Sequence, residues 1–393
     1  MYPMDITTAF IQTYHCDPSV IARAPGRVNL LGEHVDYNDG LVLPAAIDRQ
    51  VNLAASESDD QIITIHALDL GKKISFRTSD LDKRIDLEGK TLSGWELYPA
   101  GVAWSLVREG FVPSGSKAVF SSNIPIGSGL SSSAAVEVGF AVTWRFMNGW
   151  KIPPMRLAQI CQRAENDYVG VSCGLMDQFA STCGVVDHAL CFDVRDLVWE
   201  KAPLPPGTSL VIADSGVRRS LKNSAYNARR ASCEQAVEEL RHYLPNIHSL
   251  RDVLPTEFAA YSQYLSPEPR LRAEHIVKEI ARVRSAMQAL RSNNPTSFGA
   301  LMYSGHASLR DLYEVSIPEL DILVEITRHL PGVYGARLTG AGFGGCTINL
   351  VEEKETDQFV VILRKEYMHK TGKQAQVYVC HASQGASASV SHP

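Results

Sequence analysis

The chain has 393 residues, of which 45% are hydrophobic and 21% are charged, a composition typical of globular proteins. Its formal net charge of −5 provides no basic surface for nucleic acid, so we expect no nucleic-acid partner. No apolar run reaches the roughly 18 residues that a membrane-spanning helix requires, so we expect no membrane partner either. Because a single hydrophobic core rarely extends beyond about 250–300 residues, the length predicts two domains.

The cysteines and the first residues bear on the cellular compartment. The eight cysteines include no Cys-x-x-Cys pair, which argues against a zinc ribbon or a thioredoxin-type motif. Residues 1–16 lack the basic and then apolar pattern of a secretory signal. We therefore expect a cytoplasmic protein with reduced thiols.

The first half of the chain alternates between strand and helix patterns. Ile63, Ile65 and Ala67 alternate with polar residues, which predicts strands within residues 51–76. Helical spacing of apolar residues predicts a helix over residues 95–109, although Pro99 makes its start uncertain. The further predicted elements are a strand at 117–122, helices at 134–147 and 157–168, and strands at 188–194 and 209–213.

The second half begins after a proline-rich loop at residues 203–207, which predicts a boundary between domains at 1–205 and 206–393. An apolar helical stripe follows, and it predicts a packing surface formed by Ile276, Ile280, Val283, Met287 and Leu290. Residues 333–351 predict a strand, a glycine turn and a second strand. The small polar residues 383–393 predict a frayed tail. These patterns predict a two-domain α+β or α/β enzyme.

A glycine-serine loop occupies residues 123–135, with the sequence Asn-Ile-Pro-Ile-Gly-Ser-Gly-Leu-Ser-Ser-Ser-Ala-Ala. Gly127 and Gly129 allow a close backbone approach to a ligand, and the following helix start offers free amides to an anion. The loop lacks the Lys-Ser/Thr of a Walker motif. A serine-capped helix after a tight turn is the alternative interpretation.

A dense polar segment covers residues 24–40 and is punctuated by turn-forming glycines. A neutral sugar requires many donors and acceptors in one pocket, and carboxylates form the stronger bonds. The formal charge of −2 suits an uncharged sugar better than a sugar acid. A solvated polar loop remains the alternative. The polar side chains are Arg27, Asn29, Glu33, His34, Asp36, Asn38 and Asp39.

Two further segments carry candidate site residues. Residues 337–347 contain four glycines in six positions around Phe343, which predicts either a chain wrapped around a ligand or a glycine-bulged hairpin. Glu165 and Asp177 lie twelve residues apart, and they could flank a metal ion and a reacting hydroxyl. Surface or capping charges are the alternative for either acid.

Together the glycine-serine loop, the polar segment and the glycine-rich segment resemble the three motifs of GHMP kinases, in the expected order. Residues 26–40, Gly-Arg-Val-Asn-Leu-Leu-Gly-Glu-His-Val-Asp-Tyr-Asn-Asp-Gly, resemble the galactokinase signature almost residue for residue. The resemblance covers about residues 20–385. It implies an N-terminal domain similar to domain 2 of ribosomal protein S5, a ferredoxin-like C-terminal domain, and an active site in the cleft between them.

The resemblance also implies the reaction, in which ATP phosphorylates α-D-galactose at its anomeric hydroxyl, with Mg²⁺ as the cofactor. The partners would be galactose and ATP, and we expect a monomer or a weak homodimer. The implied catalytic residues are Arg27 and Asp177, and the segment from Gly340 to Gly345 would close the cleft. The other implied site residues are Glu33, His34, Asp36, Gly174 and Tyr226 for the sugar, Trp95, Tyr98, Gly127, Ser128, Gly129, Leu130, Ser131, Ser132 and Ser133 for the nucleotide, and Ser133 (or Ser132) with Glu165 for the metal.

Two departures and two rival functions follow from the same segments. Pro99 stands where galactokinases commonly have another residue, and Ala341 replaces a common glycine, which is tolerated if its φ is not positive.

The rival functions are a kinase for N-acetylgalactosamine or galacturonic acid and a non-catalytic galactose and ATP sensor. The ending Tyr-Asn-Asp-Gly at residues 37–40 favours galactose, and the complete loop at residues 129–135 favours catalysis.

Overall fold

The structure is a computed structural model that describes residues 5–218 and 222–391. Within these ranges the strands are β1 (Val20–Asn29), β2 (Leu41–Val42), β3 (Pro44–Glu57), β4 (Ile62–Ala67), β5 (Lys72–Arg77), β6 (Ser116–Ser122), β7 (His188–Asp193), β8 (Val198–Pro203), β9 (Thr208–Asp214), β10 (Val333–Thr339), β11 (Cys346–Glu352), β12 (Gln376–Cys380) and β13 (Ser387–Val390). The helices are α1 (Ile6–Tyr14), α2 (Leu97–Arg108), α3 (Ser132–Met147), α4 (Pro154–Arg163), α5 (Met176–Cys183), α6 (Lys222–Leu240), α7 (Pro255–Tyr261), α8 (Pro267–Arg291), α9 (Pro295–Asp311), α10 (Pro318–Thr327) and α11 (Thr356–Thr371).

A six-stranded sheet organises the first half of the chain in the order β13-β1-β3-β6-β4-β5. The pairings are antiparallel except for β4 with β6, which run parallel. Ile63, Ile65 and Ala67 of β4 are buried as their alternation predicts. Helix α3 packs against β1 and β3, so one face of the sheet is covered by the helix that follows the glycine-serine loop.

A four-stranded antiparallel sheet in the order β10-β11-β9-β12 organises the second half. Successive side chains of a strand point to opposite faces, and both faces of this sheet are covered. Val211 and Ala213 of β9 pack with residues of α10 and α11, whereas Leu210 and Ile212 belong to the cluster that includes Met302 of α9.

Helix α8 lies between the two halves. Its predicted stripe of Ile276, Ile280, Val283, Met287 and Leu290 is buried throughout. The helix contacts the three-stranded sheet β2-β7-β8 on one side and α9, which packs against β10, on the other. The stripe therefore connects the core of the first half with that of the second.

Two details of the sequence interpretation change with the structure. Pro99 lies in the first turn of α2, where its missing N–H removes no helical hydrogen bond. The prediction of a frayed tail is wrong for Ser387–Val390, because these residues pair with Val20–Arg23 and satisfy the edge of β1. The predicted domain boundary falls in the connection between β8 and β9, and it stays a prediction.

In the described part of the chain, no helix combines the length and the apolar character needed to cross a membrane.

Candidate active site

A cavity of about 250 Å³ opens where the polar segment, the glycine-serine loop, the turn before α5, helix α6 and the glycine-rich turn meet. Most of the predicted site residues line it, although they come from positions up to 200 residues apart in the chain. Those that line it are Arg27, Glu33, His34, Asp36, Gly127, Gly129, Ser131, Ser132, Ser133, Glu165, Gly174, Asp177 and Tyr226. Gly340, Ala341 and Phe343 of the glycine-rich turn line it as well.

An ion pair between Arg27 and Asp177 lies in this cavity. Arg27 Nε and Nη2 are 2.8 and 2.7 Å from Asp177 Oδ1. Strand β1 has an irregularity at Pro25/Arg27 that sends Arg27 toward the glycine-serine loop, and Asp177 lies in the first turn of α5. A Cβ at Gly26 would stand 2.7 Å from the carbonyl oxygen of Leu130, so only glycine permits this approach.

The glycine-serine loop contacts both members of the pair. Arg27 Nη1 donates to the carbonyl oxygen of Gly129 at 2.7 Å, and the Ser131 hydroxyl donates to Asp177 Oδ2 at 2.5 Å. Ser131 has a φ of 58°, a strained conformation for a residue with a side chain. Helix α3 begins at Ser132, so the free amides and the positive end of its dipole face the same cavity.

Asp36 is packed against Gly174 in the wall of the cavity. A Cβ at Gly174 would be 1.8 Å from Asp36 Oδ2, and therefore no larger residue fits there without moving the carboxylate. Burial, and next the negative charge of Asp177, raise the pKa of Asp36 to about 6. The Asp36 carboxyl group therefore holds its proton more readily than an exposed aspartate does.

Aromatic residues surround His34, whose φ is 63°. Because a carbonyl oxygen only accepts, His34 Nε2 donates to Ala341 O at 3.2 Å. His34 Nδ1 lies 2.9 Å from the Tyr37 hydroxyl, which lies 2.6 Å from the Tyr313 hydroxyl. The Tyr226 ring packs 5.5 Å from the His34 ring. These contacts fix the imidazole at the cavity wall.

Glu33 is 1% exposed, and its carboxylate contacts the second half of the molecule. Its Oε1 accepts from the amide of Gly340 at 3.2 Å, and its Oε2 lies 2.5 Å from Arg337 Nη2. Burial raises the pKa of Glu33 to about 7, although the positive charge of Arg337 opposes the shift.

Glu165 supplies a second buried carboxylate near the start of α3. It lies in a π-helical turn, Ala164–Val169, that follows α4 and redirects the chain. Its Oε2 accepts from Gln178 Nε2 at 2.6 Å and from Cys173 Sγ at 3.3 Å, and Ser133 also donates to its carboxylate. Burial, and next the charge of Asp177, raise the pKa of Glu165. A buried carboxylate beside a serine hydroxyl is a set of hard oxygen ligands that suits Mg²⁺.

Four predicted residues do not line the cavity. The Ser128 hydroxyl donates to Pro125 O, and Leu130 is buried with its carbonyl accepting from the Arg27 amide. Trp95 packs against Phe120, with ring centroids 5.6 Å apart. Tyr98 is partly buried, and desolvation, followed by the charges of Glu165 and Glu137, raises its pKa to about 12. Ser128 and Leu130 thus stabilise the turn of the glycine-serine loop and do not line the cavity.

Several residues that support the site were not predicted. Gln178 joins Glu165 to Glu137, a fully buried acid on α3, and Glu279 approaches the site from α8. Gln178 directly follows Asp177 in the chain, so its position beside a candidate acid was a usable signal. Glu137 and Glu279 are acids on the buried faces of helices, a pattern that indicates paired charges but does not identify their partners.

Sequence models of known families match three parts of the chain. The galactokinase galactose-binding signature matches residues 8–57. The GHMP kinases N terminal domain matches residues 98–185, and the GHMP kinases C terminal domain matches residues 286–369. The three matches follow the order predicted from the motifs.

Whole-chain comparisons agree with these matches. The galactokinase of Roseiflexus sp. (strain RS-1) is 44% identical over 382 residues, 97% of this chain and 96% of that protein. The galactokinase of Bacillus subtilis (strain 168) is 39% identical over 92% of this chain and 93% of its own. A crystal structure of Lactococcus lactis galactokinase complexed with galactose has a TM-score of 0.91 and 34% identity, with 97% of this chain and 98% of that chain covered. The predicted two-domain GHMP kinase fold is thereby confirmed, and the chain belongs to the galactokinase family.

Proposed function

We propose that this kinase transfers the γ-phosphoryl group of ATP to the anomeric hydroxyl of α-D-galactose. The observation that carries the proposal is the Arg27–Asp177 pair, held at 2.7 Å in a cavity that also receives the glycine-serine loop and the polar segment. The Lactococcus lactis relative, whose structure contains galactose, supports the choice of sugar.

Asp177 and Arg27 have complementary proposed roles. Asp177 orients the sugar hydroxyl and accepts its proton, and the Ser131 hydroxyl fixes the carboxylate at 2.5 Å. Arg27, which also contacts Gly129 O, lies between the carboxylate and the loop and stabilises negative charge on the transferred group. Phosphoryl transfer depends mainly on such positioning and charge stabilisation.

The proposed sugar site consists of Glu33, His34, Asp36, Gly174 and Tyr226. Carboxylates accept hydrogen bonds from sugar hydroxyls, and Gly174 provides the space that Asp36 occupies. The ring of Tyr226 packs beside His34 and offers an apolar surface. The combination suits a neutral polyol.

The proposed nucleotide site is the loop from Gly127 to Ser133, and Trp95 and Tyr98 are the proposed aromatic contacts of the nucleotide, although neither lines the cavity. Glu165 and Ser133 would hold Mg²⁺, because their oxygens are hard donors beside the helix start that faces the phosphates. Bound there, the ion would neutralise charge on the phosphate oxygens. Gln178 and Cys173 orient the Glu165 carboxylate by hydrogen bonds.

We also propose the division into domains 1–205 and 206–393, a cytoplasmic location, and a monomer or weak homodimer. The division is supported by the separate six-stranded and four-stranded sheets, with the qualification that β13 pairs with the first. The location is supported by the eight cysteines, which are all free thiols in the described residues.

A substrate panel tests the proposed function. ADP release is measured with galactose, N-acetylgalactosamine and galacturonic acid, and the phosphorylated position is identified by ³¹P NMR. We expect rapid turnover with galactose alone and a phosphate ester at C1. Faster turnover with either other sugar would make the chain a kinase for that sugar, and galactose and ATP binding without ADP release would identify a sensor.

A further inference from the structure

We propose that Arg337 is a positioning residue for sugar binding, which holds the carboxylate of Glu33 in place from the C-terminal sheet. The inference rests on the proposed role of Glu33 as a sugar ligand. It assigns a function to a fully buried charge network that connects the polar segment with β10 and α8.

The guanidinium of Arg337 joins two carboxylates. Arg337 is fully buried in β10, and its Nη2 lies 2.5 Å from Glu33 Oε2. Its Nη1 donates to Glu279 Oε1 at 2.8 Å, and Glu279 is fully buried in α8. Only a planar guanidinium can address two carboxylates in this way, because its donors point in fixed, divergent directions.

The Glu33 carboxylate has few alternatives to this contact. Within the described residues, neither Glu33 Oε2 nor Arg337 Nη2 has a hydrogen-bond partner, so the ion pair between them at 2.5 Å is the polar contact that each atom makes. The other oxygen, Oε1, is held by the Gly340 amide at 3.2 Å. Arg337 and the glycine-rich turn that follows it therefore hold both oxygens of the Glu33 carboxylate, which lies in the cavity wall.

The same network holds the backbone just before Glu33. Glu279 Oε1 accepts from the Gly32 amide at 2.8 Å, and Arg337 Nη1 lies 3.4 Å from Leu30 O. A Cβ at Gly305 of α9 would stand 2.7 Å from Arg337 Nη1, so the guanidinium is also confined sterically. Arg337 and its partner Glu279 therefore hold both the Glu33 side chain and the backbone just before it in the polar segment.

Charge balance explains why the network persists in the core. Two carboxyl groups, Glu33 and Glu279, face two guanidinium groups, Arg337 and Arg282, and Arg282 is paired to Glu279. A buried ion pair adds little net stability compared with apolar residues, and this is a reason to look for a functional role. Within the described residues, the network contacts the polar segment and the glycine-rich turn and makes no hydrogen bond to the glycine-serine loop.

A double-mutant cycle tests the inference. The galactose dissociation constant is measured by calorimetry without ATP, and KM for both substrates and kcat are measured separately, for Arg337→Met, Glu33→Gln and the double variant. We expect Arg337→Met to weaken galactose binding by about 10- to 100-fold, with KM for ATP within about threefold of wild type. We expect the double variant to bind galactose about as weakly as Glu33→Gln alone, because Arg337 acts through Glu33.

Arg272→Met is the matched control. Arg272 is also buried and paired with a glutamate, Glu314, at 2.6 Å, but Glu314, unlike Glu33, does not line the cavity. We expect it to lower the melting temperature without changing galactose binding. If Arg337→Met does not fold, Arg337→Lys replaces it, since a lysine keeps one charge but cannot contact both carboxylates, and weaker galactose binding is again expected.

The outcomes distinguish the proposed role of Glu33 as a sugar ligand from the proposed role of Arg337 in positioning it. Unchanged galactose binding in Glu33→Gln would remove Glu33 from the proposed sugar site. Weakened binding in Glu33→Gln together with normal binding in the Arg337 variant would overturn the positioning role alone, and so would losses that multiply in the double variant.

Discussion

Replacing Asp177 by asparagine tests the centre of the proposed reaction. The change is nearly isosteric, and the remaining amide oxygen can still accept from Arg27 at the present distances of 2.7 and 2.8 Å. The Ser131 hydroxyl, which now donates to Oδ2 at 2.5 Å, can rotate to accept from the new amide. The geometry is therefore retained, whereas the negative charge and the basicity are lost.

The expected loss follows from those two properties. General-base catalysis contributes about 10²- to 10⁴-fold, which corresponds to about 2.7–5.5 kcal/mol in the barrier. We expect kcat of Asp177→Asn to fall by that factor in a coupled ADP-release assay, with KM for galactose within about threefold of wild type. Ser131→Ala removes only the supporting hydrogen bond and should cost about tenfold or less. A kcat of Asp177→Asn within tenfold of wild type, in a protein with a normal melting temperature, would refute the assignment.

Three further predictions concern the sugar pocket, its pH dependence and the metal. Gly174→Ala would place a Cβ 1.8 Å from Asp36 Oδ2, so we expect KM for galactose to rise at least about tenfold while KM for ATP is unchanged, and an unaltered sugar KM would contradict the packing. Glu33 and Asp36, whose pKa values are raised to about 7 and about 6, are ionised above those values and protonate below them, so kcat/KM for galactose should fall at least about tenfold between pH 7.5 and 5.5. If kcat/KM did not change over this pH range, neither the Glu33 nor the Asp36 charge would be needed for activity. In Glu33→Gln the pH at which kcat/KM is half-maximal should move toward about 6, the pKa of Asp36. Glu165→Gln should raise the Mg²⁺ concentration for half-maximal activity by about tenfold or more in a metal titration, and an unchanged titration would exclude Glu165 as a ligand.

Much of the fold was predictable because local patterns and tertiary packing agree. The alternation around Ile63, the stripe on α8 and the apolar helix after the glycine-serine loop all lie where periodicity placed them. The tail at Ser387–Val390 was mispredicted because its small polar residues carry no strand signal. Its pairing is dictated by the free edge of β1, which is a tertiary property.

The site was predictable as a set of motifs but not as a geometry. Ala341 is outside the residues with positive φ, as expected, whereas its neighbour Phe343 has a φ of 59°. Such strained conformations, which also occur at His34 and Ser131, are imposed by surrounding contacts, and residue type alone does not reveal them. The π-helical turn that carries Glu165 was read as ordinary helix, because a single inserted residue barely alters the periodicity.

The role of Arg337 was hidden for a related reason. Arg337 is the first residue of the glycine-rich segment, and a cation before a turn indicates nothing about its partners. Its partners, Glu33 and Glu279, lie 304 and 58 positions away in the chain, and only the assembled halves bring them within 3 Å.

Strand β13, near the end of the chain, pairs with β1 near its start. The four-stranded sheet, built from β9 to β12, is therefore inserted in the chain between strands of the six-stranded sheet. The polypeptide leaves the six-stranded sheet after β6 and rejoins it only at β13, so every strand from β7 to β12 lies between two strands of that sheet in the chain. The same topology delays completion of the first sheet during synthesis, since its outermost strand leaves the ribosome only after the whole insertion has emerged.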